Sequence, residues 1–191
     1  MPRRPPLPWV ATVALLVASC ASGPPVRPPD FASGVDQPFA IDGRLSAKRG
    51  KDIVAVEFTW THDATGDQIA LTTPLGQTVA ELSSENSTRR IEIRTADGRS
   101  NAGGDWASLT QRVLGFPLPV EGLAWWARGG PSGESPYAVE LDAAGRTAVM
   151  RQDGCEIVYG YIDDAARLPS RLNLGCGDVE MRIVIDRWRA R

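Results

Sequence analysis

Few side chains in this sequence are equipped for chemistry. The single histidine, His62, stands beside Asp63 where an alternating segment ends. Such a pair catalyses only if a nucleophile is brought to the imidazole, and there is no G-x-S-x-G elbow to supply one. His62 and the acidic pairs Asp63/Asp67 and Asp163/Asp164 fall in predicted turns and are read as solvated. Gly129-Gly130-Pro131-Ser132-Gly133 lacks the Lys-Ser/Thr ending of a phosphate loop. Cys155 and Cys176 are not spaced as a zinc knuckle and have no histidine near them. These residues point away from an enzyme, a metal site or a cofactor. What remains is cysteine chemistry, in a disulfide between Cys155 and Cys176 or in modification of Cys20.

Cys20 follows a positive Arg3-Arg4 segment and the apolar stretch Trp9 to Ala18. At about ten residues that stretch is too short for a helix to cross roughly 30 Å of hydrocarbon. It ends in Val17-Ala18-Ser19-Cys20. Small residues before a cysteine at the close of an apolar run resemble the lipobox of bacterial lipoproteins, in which the thiol is acylated and the cysteine becomes the first residue. The competing reading is an ordinary secretory signal cut near Ala18 or Ala21. The lipobox divides the chain into a signal peptide (1–19), a lipidated cysteine with a flexible tether rich in Pro, Gly and Ser (20–38), and one domain (39–191). Two or more acyl chains hold a protein stably on a bilayer. Ala21, rather than Asp, would follow the acylated cysteine, which by analogy with lipoproteins implies export to the outer membrane.

The elements that position these residues read as strands. Phe39, Ile41, Gly43 and Leu45 alternate with Asp42, Arg44 and Ser46, and Val54, Val56, Phe58 and Trp60 with Ala55, Glu57 and Thr59. Ile69 and Leu71, Val79 and Leu82, and Ile91 and Ile93 mark further strands, with a break at Pro74-Leu75-Gly76 and a turn at Asp97-Gly98. The period then changes. Asp105 is a candidate N-cap before Trp106, Leu109 and Val113, and Gly115 closes that helix. Pro119 opens a second helix carrying Leu123 and Trp126, which stops at Gly129-Gly130-Pro131. Strands resume at Tyr137–Leu141 and over 146–152, 155–162, 170–176 and 179–187. A hairpin of 155–161 with 170–176 puts Cys155 nearly opposite Cys176, where bridged and free thiols are equally open.

The pattern is mainly β, a long antiparallel meander with two inserted helices. Two short helices cannot cover a flat sheet of ten or eleven strands, so the sheet must curl around an interior either packed solid or able to hold a ligand. The chain carries 21 basic and 23 acidic residues, and loss of Arg3 and Arg4 leaves it more acidic, which argues against nucleic acid as a partner. Trp60 and Trp188 suit a core, whereas adjacent helical Trp125 and Trp126 diverge by about 100° and cannot share one face. Leu75 stands at a turn tip between two breakers with no apolar neighbour to bury it.

Phe39-x-Ile41-x-Gly43-Arg44-Leu45, Phe58-x-Trp60, Thr73-Pro74-Leu75-Gly76-Gln77-Thr78, Leu114-Gly115-x-Pro117-Leu118-Pro119-Val120, Gln152-x-Gly154 and Ile183-Val184-Ile185-Asp186-x-Trp188 together resemble the LolB family over about 39–188. The resemblance implies an open, incomplete antiparallel β-barrel with short helices as a lid over an apolar cavity. It implies an outer-membrane lipoprotein receptor on the periplasmic face. Such a receptor accepts acylated lipoproteins from a LolA-like periplasmic carrier and inserts them into outer-membrane phospholipid, as a monomer and without a cofactor. Cys20 then maps onto the acylated cysteine, and Leu75 onto the family's membrane-inserting leucine. The alternating faces suggest Val56, Phe58, Ile69, Leu71, Ile91, Ile93, Leu172 and Ile183 as acyl-chain contacts. Two departures stand out: Cys155 where the family often has Trp, and the less apolar Ala127-Arg128-Gly129. The alternative is a lipid-binding or structural envelope lipoprotein without cargo transfer.

Overall fold

A computed structural model describes residues 37–133 and 135–189. The expected signal peptide and most of the expected tether, Cys20 included, lie outside the described residues. Six strands come first: β1 (Phe39–Arg49), β2 (Asp52–Asp63), β3 (Gly66–Thr72), β4 (Thr78–Glu85), β5 (Arg90–Thr95) and β6 (Ser100–Gly103). Helices α1 (Trp106–Leu114) and α2 (Val120–Trp126) follow. Five more strands close the chain: β7 (Tyr137–Leu141), β8 (Thr147–Gln152), β9 (Cys155–Gly160), β10 (Arg171–Cys176) and β11 (Val179–Arg189).

All eleven strands form one antiparallel sheet in the order β6-β5-β4-β3-β2-β1-β11-β10-β9-β8-β7. The first and last strands therefore pair at its centre, Leu45 opposite Ile183 and Arg44 opposite Val184. The helices link its two edges. One face of every long strand is apolar, and register brings these faces together: Leu45 meets Val56, Phe58 meets Leu71, Leu82 meets Ile93, and Leu172 meets both Tyr159 and Ile183. Eleven strands at about 4.8 Å spacing would make a flat sheet wider than two short helices can cover. Their apolar faces nevertheless join in one buried core with Trp106, Leu109, Leu123 and Trp126, so the sheet is curled.

One close approach depends on a missing side chain. A Cβ on Gly43 would stand 2.1 Å from the Val184 carbonyl and 2.9 Å from the Phe58 ring. The β1–β11 register slips at this point, between Asp42 and Gly43. Glycine there lets the Phe58 ring lie across β1.

The edge strand β6 has no counterpart in the hydrophobic pattern, because Ser100-Asn101-Ala102-Gly103 is small and mostly exposed. The register also corrects the reading of Asp67 as a solvated turn residue. The β2–β3 turn is tight, with Asp63 opposite Gly66, so Asp67 is already in the sheet opposite His62. It is 7% exposed. Trp60 Nε1 donates to Asp67 Oδ1 at 2.8 Å, Ser84 Oγ donates to Oδ2 at 3.1 Å, and His62 Nδ1 lies 2.8 Å from Oδ1. Phe39 stacks on His62 with centroids 5.0 Å apart and meets Trp60 and Trp188 edge-on. His62 thus pairs with Asp67 in a buried cluster that fixes the upper end of the sheet, the end at which the chain enters β1.

Candidate functional site

The helices are built to cross the open face of the sheet. Asp105, extended at φ −147°, caps α1 by accepting from Ser108 N at 2.7 Å, and Gly115 ends it in the left-handed region at φ 86°. Arg49, at the lower end of β1, donates to Gln111 Oε1 at 2.7 Å. Helix α1 therefore runs from upper to lower end. Thr110 is wholly buried; its hydroxyl donates to Trp106 O and accepts from Leu118 N, both at 2.7 Å, which folds the linker back toward α2.

Beneath α2 lies an apolar cleft. Leu118, Val120, Leu123 and Ala127 form its roof, and Ile41, Leu45, Phe58, Trp60, Ile69, Leu71, Leu82 and Ile183 form its floor. Every lining side chain is apolar, Trp60 alone carrying a polar atom, and its indole nitrogen is turned to Asp67. The free volume is about 30 Å³, against roughly 300–1,000 Å³ for cavities that hold small ligands. Of the residues expected at an acyl-chain site, the structure brings Phe58, Ile69, Leu71 and Ile183 into the cleft. Val56, Ile91, Ile93 and Leu172 are buried on the same face but outside it.

Sequence reasoning overlooked the groups that hold the roof. Trp126 is 1% exposed and Trp125 half-buried, so the helix separates the adjacent rings. Trp126 Nε1 donates to Gln152 Oε1 at 2.9 Å, and Ser132 N donates to the same oxygen at 2.7 Å. Gln152 Nε2 donates to Ser132 O and Ser135 O. Thr147 Oγ1 donates to Gly129 O at 2.7 Å, and Tyr161 OH to Thr147 O at 2.9 Å. Arg128 donates to Gln37 O at 3.0 Å, tying the end of the roof to the start of the domain. Buried Gln152 and Thr147 carried a weak signal, as polar residues on strands that otherwise alternate.

Leu75 sits on a loop closed by hydrogen bonds. Gly76 N donates to Thr73 O and Thr73 N to Gln77 O, both at 2.8 Å, while Gln77 N donates to Thr73 Oγ1. Gly76 takes the left-handed conformation that completes the loop, at φ 79°. This leaves Leu75 88% exposed at the lower end of the sheet. Cys155 and Cys176 are register partners in β9–β10, with Cα atoms 4.2 Å apart and their sulfurs bonded. Ser84, Asp67 and His62 do not form a nucleophile–base pair, because the carboxylate stands between the hydroxyl and the imidazole.

The family described as Outer membrane lipoprotein LolB matches residues 37–188. The chain is 36% identical over 175 residues to the outer-membrane lipoprotein LolB of Azoarcus sp. (strain BH72), covering 91% of this chain and 89% of that protein. It is 34% identical over 183 residues to that of Chromobacterium violaceum, covering 93% and 96%. Among solved structures, a LolA superfamily protein from Nitrosomonas europaea shares the fold with TM-score 0.50 and 8% identity, over 82% of this chain and 87% of that one.

Proposed function

The chain belongs to the LolB family of outer-membrane lipoproteins, and from that premise we propose how its parts divide the work of a lipoprotein receptor. It accepts acylated lipoproteins from a LolA-like periplasmic carrier and inserts them into outer-membrane phospholipid. The observation that supports this most is the cleft under α2, lined throughout by apolar side chains. Each acyl CH₂ kept from water is worth about 0.8 kcal/mol, so a multi-acyl cargo needs a continuous apolar path between carrier and bilayer. The cleft supplies the middle of that path. At about 30 Å³ it is too small for an acyl chain, so cargo enters only when the roof moves away from the floor.

Cys20 carries the anchor and Leu75 meets the bilayer. The tether joins the upper end of β1, whereas Leu75 stands at the lower end. The 11 residues of β1 rise about 36 Å. The 19 residue steps from Cys20 to Phe39 reach at most roughly 68 Å. The tether is therefore long enough for the far end of the domain to touch the membrane that holds the anchor. No nucleotide or cofactor takes part, because cargo moves down a gradient of apolar burial.

The test is transfer of an acylated lipoprotein from purified carrier to the chain beginning at residue 21, then to liposomes. Wild type accepts and delivers. Leu75→Glu accepts normally and delivers at least about ten-fold more slowly, the cost of placing one charge in the interface. Failure of the wild type to accept cargo would leave an anchored β-domain of another purpose.

A further inference from the structure

The β1–β2 hairpin reaches past its neighbour. The last β2–β3 pair is Glu57 with Thr72, so Asp52 to Val56 run on beyond β3 toward the lower end, where Leu75 also stands. On this overhang Ile53 is 69% exposed on the outer face of the sheet, opposite Lys48. The chain contains two lysines among its 21 basic residues, and both are here, Lys48 beside the turn and Lys51 within it. Among the described residues Arg49 is paired with Asp178, while neither lysine has an ion pair. Asp52 and Glu180 are the acidic register neighbours, Asp178 is taken by Arg49 and Glu156 of the same groove by Arg151, and the long stem of Lys51 at the turn can extend past them. A shallow outer-face groove of about 570 Å³ contains Lys48 and Ile53 and shares Ser46 and Arg182 with a second depression walled by Pro74. Ile53 and the Leu75 loop thus border one continuous surface.

We propose that the tip of the β1–β2 hairpin is a second membrane contact, with Ile53 entering the headgroup boundary and Lys48 and Lys51 taking the phosphates of an anionic phospholipid. It rests on the assignment of Leu75 to the bilayer, which fixes the end of the domain that faces lipid. An apolar side chain flanked by flexible ammonium groups suits that boundary, because the stems lie along apolar surface while the charges stay at headgroup level. Two anchors on different loops also fix the tilt of the domain, which a single leucine cannot do.

Every strand, both helices and the whole described core lie within residues 39–189, so the chain beginning at residue 21 keeps the fold. Its cysteines are bridged, so Ile53→Cys introduces one free thiol for an environment-sensitive fluorophore. With vesicles of phosphatidylcholine and phosphatidylglycerol, the label at residue 53 should shift to the blue. Flotation should show about thirty-fold tighter binding to these vesicles than to phosphatidylcholine alone, at roughly 1 kcal/mol for each lysine. Lys48→Gln with Lys51→Gln should erase that preference, and Ile53→Ser should weaken binding to both vesicles several-fold. A label that stays in water, or a double variant with the wild-type preference, overturns the proposal, and an acidic protein surface would then be the partner of the lysines. Cargo transfer is read separately, so a receptor that fails to accept cargo but still docks by residue 53 contradicts the transfer reading and not this one.

Discussion

The two halves of the sheet use the same alternating strands to different ends. The floor of the cleft comes from β1 to β4 together with Ile183 of β11. The β7–β10 half presents equally apolar and equally buried side chains, Met150, Ile157, Leu172 and Leu174, but none of them borders the cleft. It also carries the disulfide and the polar contacts of Gln152 and Thr147 with the roof. Over the cleft, by contrast, Leu118, Val120, Leu123 and Ala127 rest on apolar side chains alone. Directional bonds resist sliding and lifting, whereas apolar contacts re-form with any apolar partner, acyl chains included. On the transfer reading the β7–β10 half is the hinge side, and opening the cleft over the other half breaks the bonds of Arg128 with Gln37 and of Arg49 with Gln111.

The strongest way to break this contrast is Trp126→Ala, which removes a fully buried ring and orphans Gln152 Oε1 from one of its donors. A loss of about 3–5 kcal/mol is expected in denaturant unfolding. Replacing both Cys155 and Cys176 by serine should lower stability by roughly 3 kcal/mol for a 21-residue separation. Cargo acceptance should be unchanged, because the bridge lies outside the cleft. Gly122→Ala sharpens the comparison, since its Cβ would stand 2.7 Å from the Trp126 ring. A cost of about 1–3 kcal/mol is expected, together with faster uptake of a hydrophobic probe as the hinge loosens.

The smallest effect is read by pH. Burial, and then Asp142, push the Tyr161 phenol up to about 12. The neutral phenol thus contributes stability that is fully present below about pH 10 and is lost as pH rises through about 12. Tyr161→Phe should cost about 1 kcal/mol near neutrality, for the hydrogen bond to Thr147 O, and should flatten the alkaline fall in stability.

The strands were legible because each hides one face, so apolar and polar residues alternate. Asp105 and Gly115 marked the ends of α1 through backbone needs that few residues meet. What stayed hidden were long-range partners. Asp67 looks like any aspartate after a turn until register places it beside Trp60 and His62. Gln152 looks like a strand end until Trp126 arrives from 26 residues away. The cleft was half legible: Phe58, Ile69, Leu71 and Ile183 share a face with Val56, Ile91, Ile93 and Leu172, but alternation reports a face and not a position along it. Where α1 and α2 come to rest decides which of those side chains border free space.

The most direct test places a photo-crosslinking side chain at Ile69 or Leu82 in one half and at Ile157 or Leu172 in the other, then loads each protein with acylated lipoprotein from the carrier. Crosslinks at Ile69 and Leu82, with none at Ile157 or Leu172, are the expected result. Equal labelling of both halves, or labelling confined to Ile157 and Leu172, would contradict the division of the sheet into a hinge and a cargo site.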